Sequence, residues 1–184
     1  MNLLKNITGN VLTKGDKNMS FSWDDLFTQQ RLLNNHILNN HDLTYQEIEE
    51  DHFLALIVEI GEFANETKCF KYWKSKKDVE QKLVLEELID CMHFMLSIGL
   101  ATNMTHAIEE KKIKQNMKGS ITDLIHGWIE QTYEFKYIRR PAGYLYMWDH
   151  FFSLANKLGF NSFDLYQEYL RKNDINHRRQ AEGY

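Results

Sequence analysis

Apolar residues recur at three- and four-residue spacing along most of the chain, with polar stretches between. From about Trp23 to Asn39, Leu26, Phe27, Leu33, Ile37 and Leu38 keep roughly helical spacing, and Ser22 with Asp25 reads as a capping box ahead of them. Thr44 with Glu47 opens a second segment that runs to about Glu66, and Ser75 with Asp78 a third that runs to about Leu100. Amphipathic spacing returns over about 120–138 through Ile121, Leu124, Ile125, Trp128, Ile129 and Tyr133, and Arg139-Arg140-Pro141-Ala142-Gly143 breaks it. An aromatic stripe over about 144–158 follows, suited to a core or a dimer interface, and Gly159 ends it. A last helix begins after Asn161 or Ser162 and runs through FDLYQEYLRKN. Residues 1–20, polar and weakly periodic, predict a loose N-terminal extension, and the polar, mixed-charge stretch 102–118 predicts a surface excursion. The expected fold is an all-α helical bundle.

The two most apolar windows, HFLALIVEIGEFANE and LVLEELIDCMHFMLSIGL, each hold a carboxylate pair three residues apart: Glu59 with Glu62, and Glu87 with Asp90. Residues at that spacing share a helix face. A helix that is apolar nearly all round is expected to be buried. Four carboxylates facing one another in a buried seam repel and lose hydration. Cations resolve both costs, and all-oxygen ligation favours Mg²⁺ or Mn²⁺. One such pair is ordinarily solvated surface; two, both in the most apolar windows, set this chain apart.

Composition narrows the picture. With 184 residues the chain can form one domain, expected over 21–184, with a sizeable core. A single proline and nine glycines suit long helices rather than a β-rich fold. The net charge of −4 argues against a general nucleic-acid binder. No apolar run reaches membrane-spanning length free of charge; 84–100 comes nearest, and Glu86, Glu87 and Asp90 interrupt it. Cys69 and Cys91 lack metal-site spacing and read as reduced thiols of a cytoplasmic protein. Lys14-Gly15-Asp16 can be encoded by a purine-rich run resembling a bacterial ribosome-binding site just before Met19. Met19 is therefore the expected start, with 1–18 a gene-calling artefact.

Further chemistry lies close to the carboxylates in sequence. TKCFKYWKSKK places Lys68, Lys71, Lys74, Lys76 and Lys77 among Phe70, Tyr72 and Trp73, which suits either a solvated connection or a phosphate-holding loop with aromatic cover. His93 is one turn from Asp90, as a core histidine or a substrate contact. Gln29 and Gln30 are surface amides unless one faces the carboxylates and reads a base edge. The tail brings Lys172, Asn173, Asn176, Arg179, Gln180 and Tyr184, with Lys172, Asn176 and Arg179 on one helical face. Such tails are commonly frayed. This one offers cations for phosphate, amides for a base edge and a ring for stacking. Carboxylate-held Mg²⁺ beside cations is phosphoanhydride chemistry, with a carboxylate available as general base.

E-x-x-E followed by E-x-x-D on consecutive helices resembles the all-α NTP pyrophosphatase superfamily. LFTQQRLL around Gln30, EIGEFANETKCFKYWK, LEELIDCMHFMLSIG and KNDINHRRQAEGY resemble more closely the dimeric all-α dUTPases of phages, bacteria and trypanosomatids. The resemblance implies a dimer with a central four-helix core that hydrolyses dUTP, and dUDP, to dUMP under two-metal catalysis. It makes Glu59, Glu62, Glu87 and Asp90 the Mg²⁺ ligands and Glu59 the base that orients the attacking water. It assigns uracil to Gln30 and Asn176, the nucleoside pocket to His93 and Trp73, and phosphates to Lys71, Lys172 and Arg179. Asn173 belongs to the same substrate-binding tail, and Tyr184 closes on the nucleotide. Asn34 stands where the family usually has an acidic residue, and Phe63 and Cys91 replace smaller residues. Uracil is separated from thymine by one methyl group, which a close-packed pocket can exclude. The alternatives are a MazG-like pyrophosphatase of another nucleotide, a di-iron bundle lacking its second Glu-x-x-His, and a helical interaction protein. A regulatory protein partner is compatible with the enzyme reading as well.

Overall fold

In the computed structural model, residues 22–109 and 113–183 are described; the expected start at Met19, the N-terminal extension and Tyr184 lie outside them. The described residues form α1 (Trp23–His41), α2 (Glu49–Thr67), α3 (Gln81–Ala101), α4 (Thr105–Glu109), α5 (Ile121–Ile138), α6 (Pro141–Lys157) and α7 (Ser162–Ala181), with no strand among them. The all-α expectation holds.

Local chemistry sets the boundaries. Ser22 Oγ accepts from the Asp25 amide at 3.4 Å, while the Asp25 carboxylate takes the Tyr166 hydroxyl and ties α1 to α7. Thr44 and Glu47 do bond, through the Thr44 amide at 2.8 Å and its hydroxyl at 2.7 Å. They close a turn rather than the helix, which begins at Glu49. There the positive helix end meets Glu49, Glu50 and Asp51; Glu50 pairs with Lys136 of α5, and Glu49 with Arg139 just past its end. The expected box at Ser75 and Asp78 does not form. Residues 68–80 stay irregular because Lys68 reaches the Asp78 carbonyl and Lys77 the Cys69 carbonyl, at 3.2 Å for the latter, and α3 starts only at Gln81. A capping box between Ser120 and Asp123, not anticipated from the sequence, starts α5. Arg139 takes a left-handed conformation, with φ of 54°, between α5 and α6, and α6 begins at Pro141, earlier than expected, because proline suits a first helical position.

The architecture is a core of α1, α2, α3 and α7 with the α5–α6 hairpin packed alongside. α3 touches α1, α2, α6 and α7, and α5 lies on α2. The aromatic stripe of α6 is core: Tyr144, Trp148 and Phe151 pack with Trp128 and Phe135 of α5 and Phe63 of α2, all under 2% exposed. α3 and α6 meet closely at Gly99, where an added Cβ would lie 2.1 Å from the Tyr144 hydroxyl. That hydroxyl donates to the Met95 carbonyl at 2.9 Å.

Two expectations change. The stretch 102–118 is not simply a surface excursion. Ala107 and Ile108 are buried, and Asp149 and Ser153 of α6 accept from the Lys114 and Met117 amides at 2.7 and 3.1 Å. And α2 is not buried all round: Leu54 and Val58 remain 62% and 50% exposed, because none of the described helices covers that face.

Candidate active site

Glu59 projects from the middle of α2, and Glu87 and Asp90 from successive turns of α3. Each offers one oxygen, and the three oxygens lie within 4.8 Å of one another. The packing of the two helices imposes this. Leu56, Ile60 and Phe63 on α2 and Leu88, Ile89 and Met92 on α3 are fully buried, so the intervening carboxylates are held half-buried along the seam. Burial pushes the Glu59 pKa up to about 7, and the charges of Asp90, Glu62 and Glu87 add to the rise. Burial also raises Glu87 and Asp90. Glu62 is exposed and outside the group of three, though its charge reaches both Glu59 and Glu87. The compensating cation is Lys172 of α7, 2.6 Å from Asp90 and 3.2 Å from Glu86. Burial would raise Glu86, but the ammonium of Lys172 and the guanidinium of Arg171 outweigh it and hold that carboxyl low. Three converging carboxylates face one bridging ammonium, an excess of negative charge that suits divalent cations with oxygen ligands.

Beyond His93 the seam becomes a buried polar cluster. Gln30 Oε1 accepts from His93 Nδ1 at 2.8 Å and from the Tyr169 hydroxyl at 3.1 Å. Gln30 Nε2 donates to Asn34 Oδ1 at 2.9 Å and to Ser97 Oγ at 3.1 Å, and Ser97 in turn donates to Asn34 Oδ1 at 3.1 Å. The His93 ring stacks on Tyr169 with centroids 4.5 Å apart, and Asn173 donates to the Tyr169 hydroxyl at 3.5 Å. Burial drives the His93 pKa down to about 3, so the ring is neutral. Its Nε2 is buried without a hydrogen-bond partner.

A family model described as dUTPase matches residues 22–184. The chain belongs to the dUTPase family. This dUTPase is a dUTP diphosphatase, and the match spans every helix that carries the site. No curated protein matches the chain. Among the described residues no helix is long and apolar enough to cross a membrane.

The dUTPase gathers some of the residues singled out in its sequence and leaves others apart. Glu59, Glu87, Asp90 and Lys172 meet directly, and Gln30, His93 and Asn173 meet around Tyr169. Arg179 contributes its charge at Asp90 and lies 3.5 Å from Asn176 Oδ1. Lys71 instead bonds Asn65 at 2.5 Å and covers the Phe70 ring, and Trp73 is 61% exposed beside Tyr72. No hydrogen bond or ion pair joins either to the carboxylates. Sequence reasoning passed over Asn34 as a site member, and Ser97 and Tyr169 altogether. The signal was available in Ser97, a lone hydroxyl inside MLSIGL, and in Asn34, four residues after Gln30.

Proposed function

We propose that Glu59, Glu62, Glu87 and Asp90 hold Mg²⁺, or Mn²⁺, and that Glu59 serves as the base for hydrolysis of dUTP and dUDP to dUMP. The convergence of three half-buried carboxylates beside Lys172 carries this reading. Metal bound there supplies charge neutralisation at the phosphates and acidifies a coordinated water. Glu59, kept ionised by the metal charge beside it, is the carboxylate placed to accept the water's proton. The water oxygen bonds to phosphorus, the bridging P–O bond of the α–β anhydride breaks, and pyrophosphate or phosphate leaves. Lys172 and Arg179 attract the phosphates, joined by Lys71 once its loop approaches. Asn176 takes the uracil, Gln30 serves it from behind by holding His93, and His93, Trp73 and Asn173 line the nucleoside pocket that Tyr184 closes. Hydrolysis of this kind keeps uracil out of DNA and supplies dUMP for thymidylate synthesis.

The homodimer reading is supported by the exposed Leu54 and Val58 on α2, next to a groove shared with Tyr133 and Lys136 of α5. A second copy would cover that face. The free thiols Cys69 and Cys91 fit a cytoplasmic setting. A nucleotide panel with Mg²⁺, followed by pyrophosphate release, tests the substrate: dUTP should lead, and a preference for dCTP or dTTP overturns the reading.

A further inference from the structure

The buried polar cluster fixes more than the position of His93. Every hydrogen-bonding position of the Gln30 amide is occupied from inside the protein: two donors meet its oxygen and two acceptors meet its nitrogen. Because the oxygen faces His93 Nδ1, that nitrogen must carry the proton. Nε2 is then a bare lone pair on a ring 6% exposed, with no donor among the described residues to satisfy it. A buried acceptor left empty is costly unless something fills it.

What sets this arrangement lies one shell further out. If Gln30 turned over alone, its oxygen would oppose Asn34 Oδ1 and its NH₂ would oppose the Nδ1 proton. Gln30 and Asn34 therefore turn together or not at all. The network has two self-consistent senses, and the structure holds the one in which Asn34 accepts from both Gln30 and Ser97. We infer that Asn34 and Ser97 are positioning residues: through Gln30 they hold His93 as the Nδ1-protonated tautomer, so that Nε2 accepts a hydrogen bond from an N–H or O–H donor of the bound deoxyuridine. The deoxyuridine moiety offers two such donors, the uracil N3–H and the 3′-hydroxyl. Neither Asn34 nor Ser97 needs to touch the nucleotide.

The inference rests on His93 facing the nucleoside, and the two are tested separately. ¹⁵N-resolved spectra of the imidazole side chains of the nucleotide-free protein read the tautomer directly. The expected pattern for His93 is a protonated-type Nδ1 and a bare-type Nε2. Asn34→Asp permits only the observed sense, since an ionised carboxylate donates nothing, and should keep the wild-type pattern. Asn34→Leu releases Gln30 and should lose that pattern, while Ser97→Ala offers a milder release if the leucine variant folds poorly. A protonated Nε2 in the wild type, or a tautomer change in Asn34→Asp, overturns the inference whatever the enzyme hydrolyses. In kinetics, either N3-methyl-dUTP or 3′-deoxy-dUTP should lose at least about tenfold in kcat/KM on the wild type. That loss should shrink in Asn34→Leu and persist in Asn34→Asp. Turnover of both analogues like dUTP itself refutes the acceptor role even if the tautomer is as stated.

Discussion

Glu59→Gln should inactivate the enzyme and yet stabilise its metal-free fold. A carboxyl whose pKa is higher folded than unfolded favours the fold when protonated, below its ordinary value of 4.5. That contribution is lost as pH rises toward the folded value of about 7. At 1.36 kcal/mol per pH unit, the rise from 4.5 to about 7 corresponds to ~3.4 kcal/mol. Solvent reaches half of this side chain, and screening reduces the figure to about 1–2 kcal/mol. Glutamine keeps the shape without the charge, so the variant escapes the penalty. At roughly 2–4 °C per kcal/mol for a chain of this size, Tm in EDTA at pH 8 should rise by about 2–8 °C. By pH 5 the gain should shrink to about a quarter, because wild-type Glu59 is then protonated in the folded protein. Saturating Mg²⁺ should reverse the order, since the wild type gains binding energy that the variant has lost. Thermal melts of both proteins at the two pH values, with EDTA and with Mg²⁺, test each step. A lower Tm for Glu59→Gln in EDTA at pH 8, or an equal gap at both pH values, refutes the argument that burial and the neighbouring charges raise Glu59.

Glu87→Gln and Glu62→Gln should each abolish Mg²⁺-dependent pyrophosphate release while leaving the helical circular dichroism intact; turnover by the Glu62 variant would show that this exposed carboxylate is dispensable. Lys172→Met removes the ammonium between Glu86 and Asp90, and should reduce kcat/KM for dUTP by about 10–100-fold, with the metal-free protein melting at lower temperature. Gly99→Ala drives a methyl into the Tyr144 hydroxyl and should cost about 1–3 kcal/mol in urea unfolding. Leu54→Asp on the exposed face of α2 should leave a monomer by light scattering if a second copy covers that face.

The helices were legible because burial writes itself into spacing. α1, α3 and α5 lie within a few residues of where their apolar residues place them, and the carboxylates of α2 and α3 meet as two helix faces should. Helix starts were less legible. Thr44–Glu47 and Ser75–Asp78 have the same spacing, yet one closes a turn and the other forms nothing, since lysines of the 68–77 loop bond their own backbone there. The exposed side of α2 misled for another reason: apolar content along a helix does not say which of its faces the rest of the chain covers. The inner polar network was the hardest part to read. Asn34, Ser97 and Tyr169 come from three helices, and only packing reveals that one glutamine joins them.

The segment that crosses α6 has a consequence for how the chain tolerates change. α6 meets it with Asp149, Ser153 and Asn156, spaced to line one face, and their partners include the amides of Lys114 and Met117 and the carbonyl of Gln115. The bonds to the backbone do not depend on the side chains at 114 and 115, whereas Asn156 also donates to Asn116 Oδ1 at 2.6 Å and Ile113 and Met117 pack against the core. In a saturation-mutagenesis screen, Lys114 should accept nearly any residue with a backbone N–H and reject proline, which has none to give Asp149. Position 149 should be restrictive in turn, because a buried residue there must supply the acceptor. Positions 114 and 115 would then look freely variable in sequence while the path of the stretch across α6 stayed fixed.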